Sequence, residues 1–234
     1  MKNCLIITDS LGLARAEPEL VRAHEAWTQI VISDNSLREK FNFYIYSRFG
    51  YTSEGLKNEM DTYLKAYEPD IIILQVGLVD CYPRAMKKVE LAIIRLLPSF
   101  LQRLIRNLIS KHYKKLTKWR TNRYVTPNDF AQNLSLFRNK FENSEFLIIP
   151  IAPAHKSICE RNSKFEESVS LFNLILSDIF PNQFCKDIYE SMDGEIFLSD
   201  GQHLSVNGNK QLAEKVTKLL DIVNSTEKKN KNAL

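Results

Sequence analysis

Glycine and proline are scarce here, at 7 and 8 of 234 residues. That scarcity excludes a low-complexity or collagen-like chain. Cysteine is sparse too. Cys4, Cys81, Cys159 and Cys185 lie far apart and form no C-x-x-C pair, so neither a zinc site nor a disulfide framework is implied. We expect no metal and no organic cofactor. No apolar run reaches the ~18 residues of a membrane span, and the first residues do not read as a charged-then-apolar leader. The expectation is a cytoplasmic protein with reduced thiols.

Acidic residues are missing from one stretch in particular. Between Arg84 and Arg123 there are twelve Lys or Arg residues and one acid, Glu90, so the stretch carries +11 and the rest of the +4 chain carries −7. One basic segment on an acidic body speaks of an anionic partner rather than of the fold.

What is present is a globular composition, 44% hydrophobic, long enough for one domain with a substantial core. Apolar or β-branched runs at 3–8, 42–47, 69–77 and 145–153 predict strands, and 193–201 holds a short fifth. Helical spacing marks 13–27, interrupted early by Pro18, then 53–67 and 208–223. Alternating strands and helices predict a parallel sheet covered on both faces. The expected domain is 1–224, with a helical insertion at 85–126 split near Pro98 and a flexible polar tail at 225–234.

Two short stretches carry the chemistry. "ITDSLG" (7–12) follows the first apolar run. Asp9 and Ser10 there suit a helix cap, but a serine at the carboxyl end of a strand also faces the crevice where open α/β sheets bind ligands. A nucleophilic serine needs a base, and the base an orienting group. "LSDGQHLSVNG" (198–208) offers Asp200 and His203, three apart. That spacing places a carboxylate beside an imidazole whose other nitrogen is free to face a hydroxyl. By itself D-x-x-H is a weak signal, since Ser-Asp-Gly is also a common turn.

The order of the stretches resembles that of the SGNH or GDSL-type hydrolases. "ITDSLG" is similar to their first block, with Ser10 at the nucleophile position. "RFGYTSEGL" (48–56) is similar to the second, in which Gly50 would give its backbone N–H to the oxyanion beside that of Ser10. "LQVGLVD" (74–80) is similar to the third, and "DGQHLSVNGNKQLA" (200–213) to the fifth. The resemblance implies a flavodoxin-like three-layer sandwich around about five strands. It implies a Ser10–His203–Asp200 triad and acyl transfer to water or to a sugar hydroxyl, with an acylated saccharide or lipid-linked saccharide as substrate. Asp9, Gly77, Asp80 and His155 are candidates for lining the site, with Asp80 read as orienting its loop.

The third block departs from the family pattern. Val79 stands where the family carries an asparagine that donates to the oxyanion, and valine has no donor. Asn128, Gln202 and His155 are candidates to replace it. The alternative is a slow enzyme, or a module that keeps the fold to bind a glycan or an anionic membrane. "LQVGLVDCYPR" (74–84) and "RYVTPNDFAQNL" (123–134) further resemble a subgroup associated with bacterial surface-polysaccharide biosynthesis. Cys81, His24 and His112 read as packed or surface residues. Within the insert, Phe100, Leu101, Leu104, Ile105, Leu108, Ile109 and Leu116 share one helical face. That face either packs on the domain with its charges solvated, or the insert's lysines and arginines meet an anionic ligand: a membrane at its inner surface, a lipid-diphosphate-linked saccharide, or the phosphates of an acyl-coenzyme donor. No nucleic-acid motif is present.

Overall fold

The computed structural model describes residues 1–120 and 122–231. The elements run β1 (Lys2–Thr8), α1 (Trp27–Ile32), α2 (Asn35–Arg38), β2 (Phe41–Ser47), α3 (Ser53–Glu59), β3 (Ile71–Gln75) and α4 (Leu78–Cys81). They continue with α5 (Lys88–Arg95), α6 (Ser99–Trp119), α7 (Pro127–Lys140), β4 (Glu145–Ile148), α8 (Lys156–Arg161), α9 (Phe165–Ile179) and α10 (Val206–Lys231).

The strands form one parallel sheet in the order β2-β1-β3-β4. Because successive strand side chains point to opposite faces, the apolar runs feed two cores. Leu5, Ile7, Ile72, Leu74, Phe146 and Ile148 pack under α3, α7 and α9, against Leu56, Phe130, Phe137, Phe172 and Leu176. Cys4, Ile6, Ile71, Ile73 and Leu147 pack under α1, α2 and α10, against Trp27, Val31, Leu37, Leu212 and Val216. Continuous apolar strands are what a sheet buried on both sides requires, and the result is the expected three-layer sandwich.

The sheet has four strands rather than five. Residues 193–205 fold back on themselves instead of joining it. Phe197 bridges Leu204, the Leu198 N–H donates to the His203 carbonyl at 2.8 Å, and the Ser205 N–H donates to Ile196 at 2.9 Å. On the side of β4 away from β3, the described residues make only an isolated bridge from Ile148 to Phe184. The helix expected at 13–27 is also absent before Trp27. Proline lacks an N–H and restricts the residue before it, and around Pro18 the chain instead closes an Arg15–Val21 bridge.

The order 2-1-3-4 makes the chain leave β1 in one direction for β2 and cross back to β3. Between β1 and β3 lies a topological switch point, where the carboxyl ends of parallel strands open a crevice. Ser10, Gly50 and the Gly77–Asp80 segment follow β1, β2 and β3 respectively and converge there.

In the insert, α5 and α6 meet at Pro98. The apolar stripe of α6 divides. Leu101, Ile105, Ile109 and Leu116 are half-buried toward the domain. Phe100, Leu104 and Leu108 point outward, at 68%, 64% and 59% exposure. Val89, Ile93 and Leu96 of the adjoining segment are exposed as well. No described helix is long and apolar enough to cross a membrane. The final helix runs to Lys231, and the end of the expected tail, residues 232–234, lies outside the described residues.

Candidate active site

Directly after β1 the chain turns through a short 3-10 segment, Ser10–Gly12. Asp9 caps it, with Oδ1 accepting the Leu11 N–H at 2.9 Å. The two roles suggested by Asp-Ser therefore fall to different residues: Asp9 makes the cap and the Ser10 side chain is left for other work. The Ser10 carbonyl accepts from the Arg15 guanidinium at 3.2 Å, which anchors the turn from behind.

The self-paired 193–205 segment brings Asp200 and His203 to the same place. Ser10 Oγ and His203 Nε2 are 3.1 Å apart, and His203 Nδ1 and Asp200 Oδ2 are 2.6 Å apart. An ionised carboxylate can only accept, so Nδ1 carries the proton and Nε2 is the acceptor for the serine hydroxyl. Asp200 Oδ1 accepts the backbone N–H groups of Gln202 and His203 at 2.8 and 3.0 Å, and Arg15 stands 3.9 Å from Oδ2. Partial burial works to raise the Asp200 pKa. The His203 ring N–H and the two backbone donors outweigh it and hold the carboxyl well below its ordinary range.

A cavity of about 290 Å³ opens over this run, with Ser10, Gly50, Val79, Gln202, His203 and Arg84 in its wall. Gly50 has φ +69°, a left-handed conformation that glycine adopts without a steric penalty, and among the described residues its N–H meets no acceptor. Val79 stands in the wall with a side chain that has no donor. Of the three candidates to replace the missing donor, only Gln202 reaches this cavity. Asn128 is exposed on α7. His155 caps α8, its Nδ1 2.9 Å from Ser157 Oγ, and its ring packs on Phe197 outside the cavity.

Asp9, Gly77 and Asp80 lie beneath the cavity rather than in its wall. Gly77, with φ +116°, starts α4, and a Cβ there would stand 2.8 Å from Ile151 Cδ1. Asp9 and Asp80 are fully buried. Burial pushes Asp9 up to about 7 and Asp80 up to about 6, against the hydrogen bonds each accepts. Cys81 is buried, its thiol pushed up by that burial, so it offers no second nucleophile. His24 stands on an exposed turn and His112 on α6, both away from the cavity. Among the described residues no cluster of His, Cys, Asp or Glu could hold a metal ion.

Sequence reasoning did not single out Arg15, Arg84, Tyr82 or Tyr124 as site residues. Tyr82 and Arg84 stood in the "CYPR" phrase and Tyr124 in "RYV", but no local pattern says that these distant stretches meet. The Arg84 guanidinium lies over both tyrosine rings, 4.8 Å from the centroid of Tyr82 and 4.3 Å from that of Tyr124.

No family model and no curated protein matches this chain. Solved structures do. A lipase/acylhydrolase from Enterococcus faecalis superposes with a TM-score of 0.64 at 14% identity, over 94% of this chain and 95% of that one. The acetylxylan esterase Axe2 from Geobacillus stearothermophilus gives 0.58 at 13% identity, over 93% of each chain. TesA gives 0.58 at 15%, over 92% of this chain and 96% of its own. At these identities the likeness shows the fold alone, an α/β sandwich around a parallel sheet, here with one strand fewer than expected.

Proposed function

We propose that this protein is a serine ester hydrolase of the SGNH type, or an O-acyltransferase built on the same chemistry. The observation that carries the proposal is the unbroken run Ser10–His203–Asp200 beneath one cavity wall, with the unpaired Gly50 N–H beside it. His203 Nε2 takes the Ser10 proton as Oγ attacks the acyl carbonyl. The Asp200 carboxylate stabilises the imidazolium so formed. The N–H groups of Ser10 and Gly50 hold the oxyanion, and the Gln202 amide supplies the donor that Val79 lacks. The imidazolium returns its proton to the leaving alcohol, and the acyl group remains on Oγ. A water or a sugar hydroxyl, deprotonated by His203, then attacks the acyl-enzyme and releases acid or new ester.

The small cavity, walled by Leu78, Val79 and Phe49, suits a short acyl group such as acetyl. The substrate we favour is an O-acetylated saccharide or lipid-linked saccharide, the class to which the acetylxylan esterase also belongs by its substrate. The outward apolar row of α6, flanked by Arg103, Arg106, Lys111 and Lys115, fits a helix lying in the surface of an anionic membrane. The protein then works in the cytoplasm at the inner membrane face. A fluorophosphonate reagent tests the core of the reading: it labels the parent protein and spares Ser10→Ala. Labelling that persists in Ser10→Ala removes the serine from the chemistry.

A further inference from the structure

Next to the Ser10 cavity lies a second, larger one of about 570 Å³, between the insert helix α6 and α8. Tyr82, Arg84 and Gln202 stand in the walls of both, so the two spaces adjoin. The larger cleft is walled by four cations, Arg84, Lys111, Lys114 and Arg161, against a single acid, Glu160. Its charge is therefore +3.

None of the four cations forms an ion pair among the described residues, although other cations of the insert do find acids. Arg120 takes Glu90, and Lys88 stands 3.8 Å from Glu54. Arg161 is held by carbonyls, donating to Ser157 at 3.2 Å and to Asp200 at 3.4 Å. Arg84 is held by aromatic faces, and its buried Nε–H has no acceptor. A guanidinium gripped by two rings keeps its plane fixed and its N–H edges available, the arrangement that recognises phosphate oxygens in pairs.

We propose that this cleft binds a phosphate or diphosphate group carried by the substrate whose acyl ester is cleaved at Ser10, which deepens the esterase reading and rests on it. Charge selects phosphate over carboxylate. A carboxylate brings −1, whereas a phosphate monoester brings about −2 at neutral pH, closer to the +3 it meets. Size agrees, because the cleft, at about 570 Å³, falls within the several hundred Å³ typical of small-ligand sites.

The test pairs two esters that differ only in charge, 6-O-acetylglucose 1-phosphate and methyl 6-O-acetylglucoside. The parent protein favours the phosphate by about tenfold or more in kcat/KM, the worth of one charged hydrogen bond. Arg84→Gln and the surface pair Lys111→Gln/Lys114→Gln each bring the ratio toward one. In calorimetry, inorganic diphosphate binds saturably at low salt, and both variants weaken it by about the same factor. Equal turnover of the two esters by the parent overturns the inference while leaving the esterase standing. If neither ester is turned over, the esterase reading fails, and calorimetry judges the cleft alone. Absent diphosphate binding, or binding that both variants leave unchanged, overturns the site. Geranyl and uridine diphosphates separate the sources. Tighter binding of the first assigns the group to a lipid carrier and of the second to a nucleotide carrier, and either outcome supports the site.

Discussion

The Asp80 carboxylate accepts both the backbone N–H and the hydroxyl of Ser53, at 2.9 and 2.7 Å. Asn133 donates to the same hydroxyl at 3.2 Å. Ser53 opens α3, just after the Gly50 turn, and Asp80 lies in the segment after β3. This contact thus ties the loop that carries the Gly50 N–H to the loop that carries Val79. Asp80→Ala removes the acceptor and leaves a buried N–H unpaired, a loss of about 1–3 kcal/mol in stability. It also frees the Gly50 turn. We expect a reduced kcat on small esters while Ser10 still reacts with fluorophosphonate. Asp80→Asn keeps Oδ1 as acceptor and restores most of the activity. Equal, undiminished kcat in both variants would show that the tie does not position the turn.

The triad variants should separate by role. Ser10→Ala and His203→Ala abolish ester turnover, since without nucleophile or base the acyl-enzyme does not form. Asp200→Ala lowers it less, because the imidazole keeps some of its orientation from the surrounding backbone. Steady-state kinetics on an activated acetyl ester checks the order. Full activity in His203→Ala removes the histidine from the proposed mechanism.

The oxyanion donors give a paired prediction. One donor is worth about 10²–10³ in kcat. Gln202→Ala therefore lowers kcat by a sizeable part of that factor. Val79→Asn, which introduces an amide donor, raises kcat by about tenfold in the Gln202→Ala background and less in the parent. Were the gain the same in both backgrounds, Gln202 would not be filling the gap.

The buried carboxyls predict an unusual dependence of stability on pH. Asp9 and Asp80 titrate near 7 and 6 in the folded chain, above the ordinary value of 3.8. The folded state therefore holds more protons, and these two groups take stability away as pH rises from about 4 to 7. Asp200 is shifted the other way, so its contribution is present above the ordinary carboxyl range and is lost in acid. Asp9→Asn retains the Leu11 cap and removes the charge. Its melting temperature exceeds that of the parent by several degrees at pH 8, at about 2–4 °C per kcal/mol for this chain length, and the gain shrinks at pH 4. A constant difference across that range would exclude titration of Asp9 as the cause.

The membrane reading of α6 is testable by sedimentation with anionic liposomes. Binding at low salt and release at high salt is the expectation, since the attraction fades over about 8 Å at physiological ionic strength. Phe100→Ser/Leu104→Ser/Leu108→Ser weakens binding at all salt concentrations, because it removes apolar area rather than charge. Parent protein that ignores anionic liposomes at low salt rules the reading out.

Much of the architecture was legible in the sequence because its signals are local. Runs such as Ile71–Leu74, apolar on both sides, fit strands covered twice, and the stretches holding Ser10 and Asp200–His203 stand in the order of the hydrolases they resemble. The four-residue spacing of Phe100, Leu104 and Leu108 gave a helical face, but periodicity does not say what covers that face, and the fold left it outward. Residues 193–201 had the composition of a strand, yet their backbone groups found partners in 203–205 before any sheet edge. The contacts of Arg15 with Ser10 and Asp200, and the stacking of Arg84 between Tyr82 and Tyr124, were decided by tertiary structure alone. They join residues whose side chains carry no pattern in common, brought together only when the sheet, the insert and the Asp200 loop close around one crevice.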